Sequence, residues 1–308
     1  MPGSAPETEV NPVKRLLEIR PDSSIAMVFH DAGSTNIALG WLTEVPRGRI
    51  RPLMRGPAAG LWSLHFPEIS TFSSLGDVFE GASAVISGTG WASDLEHSAR
   101  VQAGREGILS LAVLDHWTHY PERFVRDGSS ALPDEFWVTD VHALAEARRC
   151  FPDASIRMCT NPYLAHQVQR VTDAGDGDPM EVLYLLEPAR SDWGREEPGE
   201  FQALDYFAAN MHVLGIPHSA RLRLRPHPSD PPGKYHCWME RNPQVSPQLD
   251  DSPTLGDAIG RAHWVAGCES YAMIVALLAG RAVSSSLPPW APACRLPHTG
   301  IVHLKNMV

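Results

Sequence analysis

The sequence has no Cys-x-x-Cys pair. Its five cysteines (Cys150, Cys159, Cys237, Cys268 and Cys294) are scattered and odd in number. That pattern argues against a disulfide framework or a zinc knuckle and leaves buried free thiols as the expectation. No run approaches the roughly 18 to 20 apolar residues a bilayer-spanning helix needs, so no integral membrane segment is expected. The first eleven residues are polar and lack the apolar core of a signal peptide; they read as the start of a disordered lead over residues 1–22, with a cytoplasmic location following from it. Positive charge is also scarce: 26 Lys and Arg stand against 36 Asp and Glu, a net charge of −10, which argues against nucleic acid as the main partner. Short internal repeats and low-complexity tracts are absent.

What is present is an α/β rhythm in 308 residues, 43% of them apolar, enough for one large or two ordinary domains. Strand-like runs at Ile25–Phe29, Ala84–Ser87, Ser110–Leu114, Glu135–Val138 and Ser155–Met158 alternate with helix-length segments at 37–43, 92–106, 142–149 and 162–171. Residues 48–59, rich in Arg, Gly and Pro, read as a loop or a short edge element. A Gly/Asp-rich break at 172–179 reads as a linker. The rhythm then resumes with strands at 181–186, 221–224, 264–266 and 282–285 and helices at 200–214, 254–262 and 270–279. Strand–turn–helix alternation of this kind predicts parallel, doubly wound sheets. Two Rossmann-like domains are therefore expected, over residues 23–175 and 176–308. The tail, residues 300–308, is a candidate crossover onto the N-terminal half.

Against the acidic background, Arg221, Arg223, Arg225 and Lys234 make a local basic contrast. Within it, Arg-Pro-His-Pro-Ser (225–229) places His227 between two prolines that stiffen the loop and fix its direction. With Arg225 before it and Ser229 after it, this His suits a phosphate held by charge-assisted hydrogen bonds; the plainer alternative is an exposed basic loop. Gly267-Cys268-Glu269-Ser270 then leads a strand into a helix. Ser270 is an N-cap candidate facing an anion at the positive end of the helix dipole, and Glu269 is a candidate for a ribose hydroxyl. An ordinary capped core helix is the alternative.

In the N-terminal half, Asp31-Ala32-Gly33-Ser34 follows the first strand and Gly88-Thr89-Gly90-Trp91 a later one. Both turns let a substrate approach the backbone, and neither is a dinucleotide fingerprint. Leu114-Asp115-His116-Trp117 ends another strand at the edge where parallel sheets bind ligands. Asp115 or His116 is the candidate general base, with Asp31, Gly33, Ser34, Gly88, Thr89 and Trp117 as acceptor-side residues. Asp115 as a simple turn cap is the competing reading. His116 and His119 lie three apart without a third ligand at supporting spacing, so neither a metal nor another cofactor is expected.

Two Rossmann-like halves, an R-P-H-P-S segment and a later G-x-E-S-x-A helix together resemble GT-B glycosyltransferases, in particular bacterial sialyltransferases, CDP-glycerol-using transferases and the non-hydrolysing UDP-GlcNAc 2-epimerases. The resemblance spans residues 24 to 290 in layout, though its motifs amount to few residues. It implies two domains facing across a cleft, with His227, Ser229, Ser270 and Glu269 on a CMP- or UDP-linked donor and a hydroxyl acceptor near Asp115. The implied activity is inverting, metal-independent sugar transfer in bacterial glycan or glycoconjugate synthesis. The epimerase H-x-E-A-G loop is absent, and the acidic sialyltransferase motif has a counterpart only in Asp173, Asp176 and Asp178. A nucleotide-sugar epimerase or hydrolase, or a non-catalytic sugar-nucleotide-binding partner, are the alternatives.

Overall fold

The computed structural model of the chain describes residues 10–20, 22–172, 179–188 and 191–308. It divides into two compact units, Met1–Tyr163 and Leu164–Val308, each built on a six-stranded parallel sheet. The expected linker lies mostly outside the described residues, and Asp173, Asp176 and Asp178 with it. No described helix is long and apolar enough to cross a membrane.

The N-terminal unit begins with α1 (Pro12–Glu18), which corrects the expectation of a disordered lead through residue 22. Asn11 caps the helix by accepting the Lys14 N–H at 3.0 Å, Pro12 occupies the first helical position, and Val13 and Leu16 are buried. There follow β1 (Ser24–Phe29), α2 (Ala32–Leu42), β2 (Ile50–Met54), α3 (Gly56–His65), α4 (Leu75–Phe79), β3 (Ala82–Ser87), α5 (Leu95–Glu106) and β4 (Leu109–Val113). A small hairpin, β5 (Val125–Arg126) and β6 (Ser129–Ser130), precedes β7 (Glu135–Val138), α6 (Val141–Cys150) and β8 (Ser155–Met158), and α7 (Pro162–Gln169) runs across the division into the second unit. Sheet order is β2-β1-β3-β4-β7-β8. The sheet is covered on both faces, which is why its strands read as unbroken apolar runs. Along β1, Ile25, Met27 and Phe29 pack with Trp41 and Trp62 on one face, while Ala26 and Val28 pack with Val78, Phe79 and Ala99 on the other.

The C-terminal unit runs β9 (Glu181–Leu185), α8 (Gly199–Asn210), β10 (Arg221–Arg225), α9 (His236–Arg241), β11 (Pro247–Leu249), α10 (Leu255–Gly260), β12 (Trp264–Gly267), α11 (Tyr271–Leu278), β13 (Ala282–Ser285) and β14 (Ile301–His303). Its order is β11-β10-β9-β12-β13-β14. The tail pairs in register with β13, Val283 against Ile301, and so extends its own unit's sheet.

Both orders reverse direction once. The chain steps from β1 out to β2 and returns to β3 on the other side of β1; it steps from β9 to β10 and β11 and returns to β12. At such a reversal the loops leave the carboxyl ends of adjacent strands toward opposite faces, and a crevice opens between them. Two such crevices follow, one at β1/β3 and one at β9/β12.

Candidate functional site

At the β1/β3 reversal, helix α2 starts at Ala32, earlier than the periodicity from residue 37 suggests. Thr35 Oγ1 donates to the Asp31 carbonyl at 2.5 Å, and Ile37, Leu39 and Trp41 are buried, which outweighs the weak helix propensity of Gly33-Ser34-Thr35. Asp31 is the N-cap residue, yet its side chain makes no capping bond; its Oδ1 instead faces His30 Nδ1 at 2.8 Å. A Cβ on Gly90 would overlap Asp31 Oδ2, and a Cβ on Gly33 would overlap Asp115 Oδ2. Glycine at these positions is what lets two carboxylates close on the start of α2. Ser34 Oγ lies against Gly88, buried and without a hydrogen-bond partner among the described residues.

Asp115 follows β4, next to β3. Its Oδ1 accepts from Arg123 NH1 at 3.1 Å, and the same guanidinium reaches Thr89 Oγ1 at 3.3 Å and, through Nε, the Thr118 carbonyl at 3.0 Å. Thr89 is fully buried and donates its hydroxyl to the Val113 carbonyl at 3.1 Å, so it ties the β3 loop to β4. Trp117 is buried and donates Nε1–H to Asp140 Oδ2 at 2.8 Å, while Asp140 Oδ1 caps α6. His116 sits beside Thr118, Nδ1 to Oγ1 at 3.2 Å.

Glu96, on α5, underlies the whole crevice. Its carboxylate accepts the His30 N–H at 2.9 Å and the Gly90 N–H at 2.7 Å, one from each loop. Burial pushes its carboxyl up to about 7, against the pull of those two N–H groups and of Arg100. Arg100, itself lowered to about 10 by burial, holds the Gly88 carbonyl at 2.8 Å and the Ala131 carbonyl at 3.0 Å.

In the C-terminal unit, the loop after β10 folds on itself. Ser229 N–H donates to His227 Nδ1 at 3.2 Å, with Ser229 Oγ 2.7 Å from the same nitrogen. Because Nδ1 accepts, the neutral ring carries its proton on Nε2, and the exposed imidazole presents an N–H donor. Asp230 braces the turn from beneath: Oδ2 accepts from the His227 N–H at 2.9 Å and from Tyr235 OH at 3.0 Å, and Oδ1 from Lys234 Nζ at 2.7 Å. Burial notwithstanding, these donors hold the Asp230 carboxyl below its ordinary value.

The basic contrast read from the sequence is cancelled in the fold. Arg223, buried, pairs with Asp250 at 2.5 Å and Glu181 at 2.8 Å; Arg225 pairs with the same Asp250; Lys234 pairs with Asp230 and, at 2.8 Å, with Glu200. Arg225 NH1 is thus committed within the protein, though its side chain is 26% exposed, and His227 is an exposed donor of the loop. Glu269, expected to face a ribose, pairs with Arg295 and accepts the Arg295 N–H at 3.0 Å. Ser270 caps α11 as expected, accepting from Ala272 N–H at 3.3 Å. The turn before it is held by Glu187, which follows β9 and accepts the Glu269 N–H at 2.7 Å; burial pushes this carboxyl also up to about 7.

The fold therefore groups Asp31, Gly33, Ser34, Gly88, Thr89 and Asp115 around one crevice. It sets His227 and Ser229 on one side of β9 and Glu269 and Ser270 on the other, about 10 Å apart by two strand spacings. His30, Glu96, Arg123, Glu187 and Asp250 escape the sequence reading. Only His30, at the end of a strand, carries a local signal that could have found it. The others reach their partners across strands.

No protein-family model matches the chain. No curated protein sequence matches it either. Solved structures do: a Listeria monocytogenes protein described as a candidate UDP-N-acetylglucosamine 2-epimerase superposes with a TM-score of 0.61 at 11% identity, covering 92% of this chain and 86% of the other. The fold is of the GT-B type. The Neisseria meningitidis UDP-GlcNAc 2-epimerase, bound to UDP-GlcNAc, gives 0.56 at 11% identity over 85% of this chain and 82% of its own. A glycotransferase of kitacinnamycin gives 0.53 at 14% over 89% and 82%. At such identities the likeness concerns architecture, which several chemistries share.

Proposed function

We propose that the protein transfers a sugar from a nucleotide-activated donor to a hydroxyl acceptor, with inversion and without a metal. The observation that carries the reading is the His227 turn at the C-terminal sheet's reversal, a braced, exposed N–H donor across β9 from the capped start of α11. A donor phosphate there gains a hydrogen bond from His227 Nε2, with Ser229 beside it, and the rest of the nucleotide reaches across β9 toward Ser270 and Glu269. The acceptor belongs at the β1/β3 crevice. Its oxygen attacks the anomeric carbon, the bond to the phosphate oxygen breaks with its electron pair leaving on the nucleotide, and Asp115, oriented by Arg123, takes the acceptor proton. His116 is the neighbouring alternative for that proton. Holding the departing phosphate and aligning the acceptor supply most of the rate. Cytoplasmic glycan or glycoconjugate synthesis is the setting this reading implies.

Epimerisation or hydrolysis of the nucleotide sugar is the second reading, favoured by the epimerases among the similar structures. The test measures nucleotide release and anomeric configuration from CMP- and UDP-sugars, with and without pooled acceptors, for the wild type and Asp115→Asn. Transfer predicts acceptor-dependent release, lowered at least about 100-fold in the variant, the scale of a lost general base. Turnover without acceptor favours the second reading. Binding without turnover points to a non-catalytic partner.

A further inference from the structure

Trp91 is unlike the other tryptophans of the N-terminal unit. Trp41, Trp62, Trp117 and Trp137 are buried, whereas Trp91 is 43% exposed, directly after the Gly88-Thr89-Gly90 turn that borders the crevice. It is nevertheless held in place. His119 meets its ring edge-on with centroids 5.2 Å apart, and the Arg123 guanidinium lies 5.2 Å from its centroid. Arg123 in turn donates to Asp115, and Gly90 abuts Asp31. An exposed, braced indole thus stands one side chain from two carboxylates, with the unpartnered Ser34 hydroxyl in the same crevice.

We infer that Trp91 is a stacking platform for a pyranose ring, whose hydroxyls donate to Asp31 and Asp115. The local charge selects a neutral polyol over a phosphate-bearing or acidic ligand. Arg123 is engaged by Asp115, Thr89 and the Thr118 carbonyl; Arg126 by Asp94 at 3.3 Å and by the Gly90 and Val125 carbonyls, each at 2.8 Å. What the crevice offers is carboxylate oxygen, which takes hydrogen bonds from hydroxyls, beside an aromatic surface, which takes the apolar C–H face of a sugar. The inference deepens the proposed transfer, naming its acceptor class as a glycoside; it rests on that reading only for the acceptor role.

The test uses the full chain labelled at the indole nitrogens, with the Trp91 resonance identified by its loss in Trp91→Phe. Methyl β-glucopyranoside and methyl β-galactopyranoside are titrated, with glycerol and adenosine as comparators and UDP and CMP in a separate arm. A pyranoside is expected to move the Trp91 signal where glycerol and adenosine do not. Its affinity, measured by calorimetry in all four proteins, should fall about tenfold in Trp91→Ala, as for other aromatic stacking, fall similarly in Asp31→Asn, and be largely kept in Trp91→Phe. Trp91 is 43% exposed, so the Trp91 variants should stay close to the wild-type melting temperature. No shift with either pyranoside, or a shift with adenosine instead, overturns the inference. The nucleotide arm separates the two ideas: pyranoside binding without nucleotide binding keeps the platform and removes the proposed transfer, and the converse does the opposite.

Discussion

At the scale of single residues, the two acids that hold the crevices together carry a pH signature. Glu96 has its carboxyl raised from 4.5 to about 7 by burial. Between those values the native chain keeps a proton that the unfolded chain has lost. Its contribution is therefore fully present below about 4.5 and is lost as the pH rises through 7, at most about 3 kcal/mol for a shift of this size. Glu96→Gln should flatten that dependence: between about pH 5.5 and 8 its unfolding free energy should fall less than the wild type's. An unchanged slope in the variant contradicts the assignment. Glu187, raised over the same range, keeps its own share in both proteins. Neither acid was legible in the sequence. Each acts on backbone N–H groups of a neighbouring loop, and that proximity exists only after strands pair. His227 was legible because two prolines and a serine fix it locally, and Asp115 because it ends an apolar run.

At the scale of elements, the glycines at strand ends matter through the carboxylates they admit. A methyl at position 90 would overlap Asp31 Oδ2, the far end of a side chain that can rotate away, with no backbone atom among its nearest neighbours. Gly90 is buried, so Gly90→Ala is expected to cost about 1 kcal/mol, the middle of the range for point substitutions, and still to fold, while lowering turnover about tenfold or more by displacing the carboxylate from near-attack geometry. Unaltered turnover in a folded Gly90→Ala protein counts against Asp31 as part of the site. The sequence located β1, β3, β4, β7, β8, β9, β10, β12 and β13 within a residue or two, since strands buried on both faces are continuous apolar runs. It left residues 48–59 as a loop or edge element, where β2 and the start of α3 form. Pro52 inside that strand is tolerated because β2 is at the sheet's edge and pairs with β1 on one side only. The tail was legible as a candidate crossover only, because three residues in β14 carry too little pattern to announce which sheet they join.

At the scale of the whole molecule, doubly wound organisation followed from the alternating rhythm, and the topology then decided which loops matter. Strand order is invisible in a sequence, so the two reversals, at β1/β3 and β9/β12, had to be seen; once seen, they gather most of the residues that the sequence had marked separately. Charge misled at this scale. The run of arginines along β10 read as a local basic contrast, yet Asp250, Glu181, Asp230 and Glu200 pair with it, and the oriented imidazole of His227 is the exposed donor that the following turn presents. The central claim, a nucleotide-phosphate site on the C-terminal sheet, is tested most directly by calorimetric titration of CMP, CDP, UDP and GDP and their sugar conjugates into wild type and His227→Ala. Binding of one nucleotide by the wild type, weakened about tenfold or more in the variant as for a lost hydrogen bond to a charged group, is the predicted result. Equal binding by both proteins, or no binding by either, contradicts it.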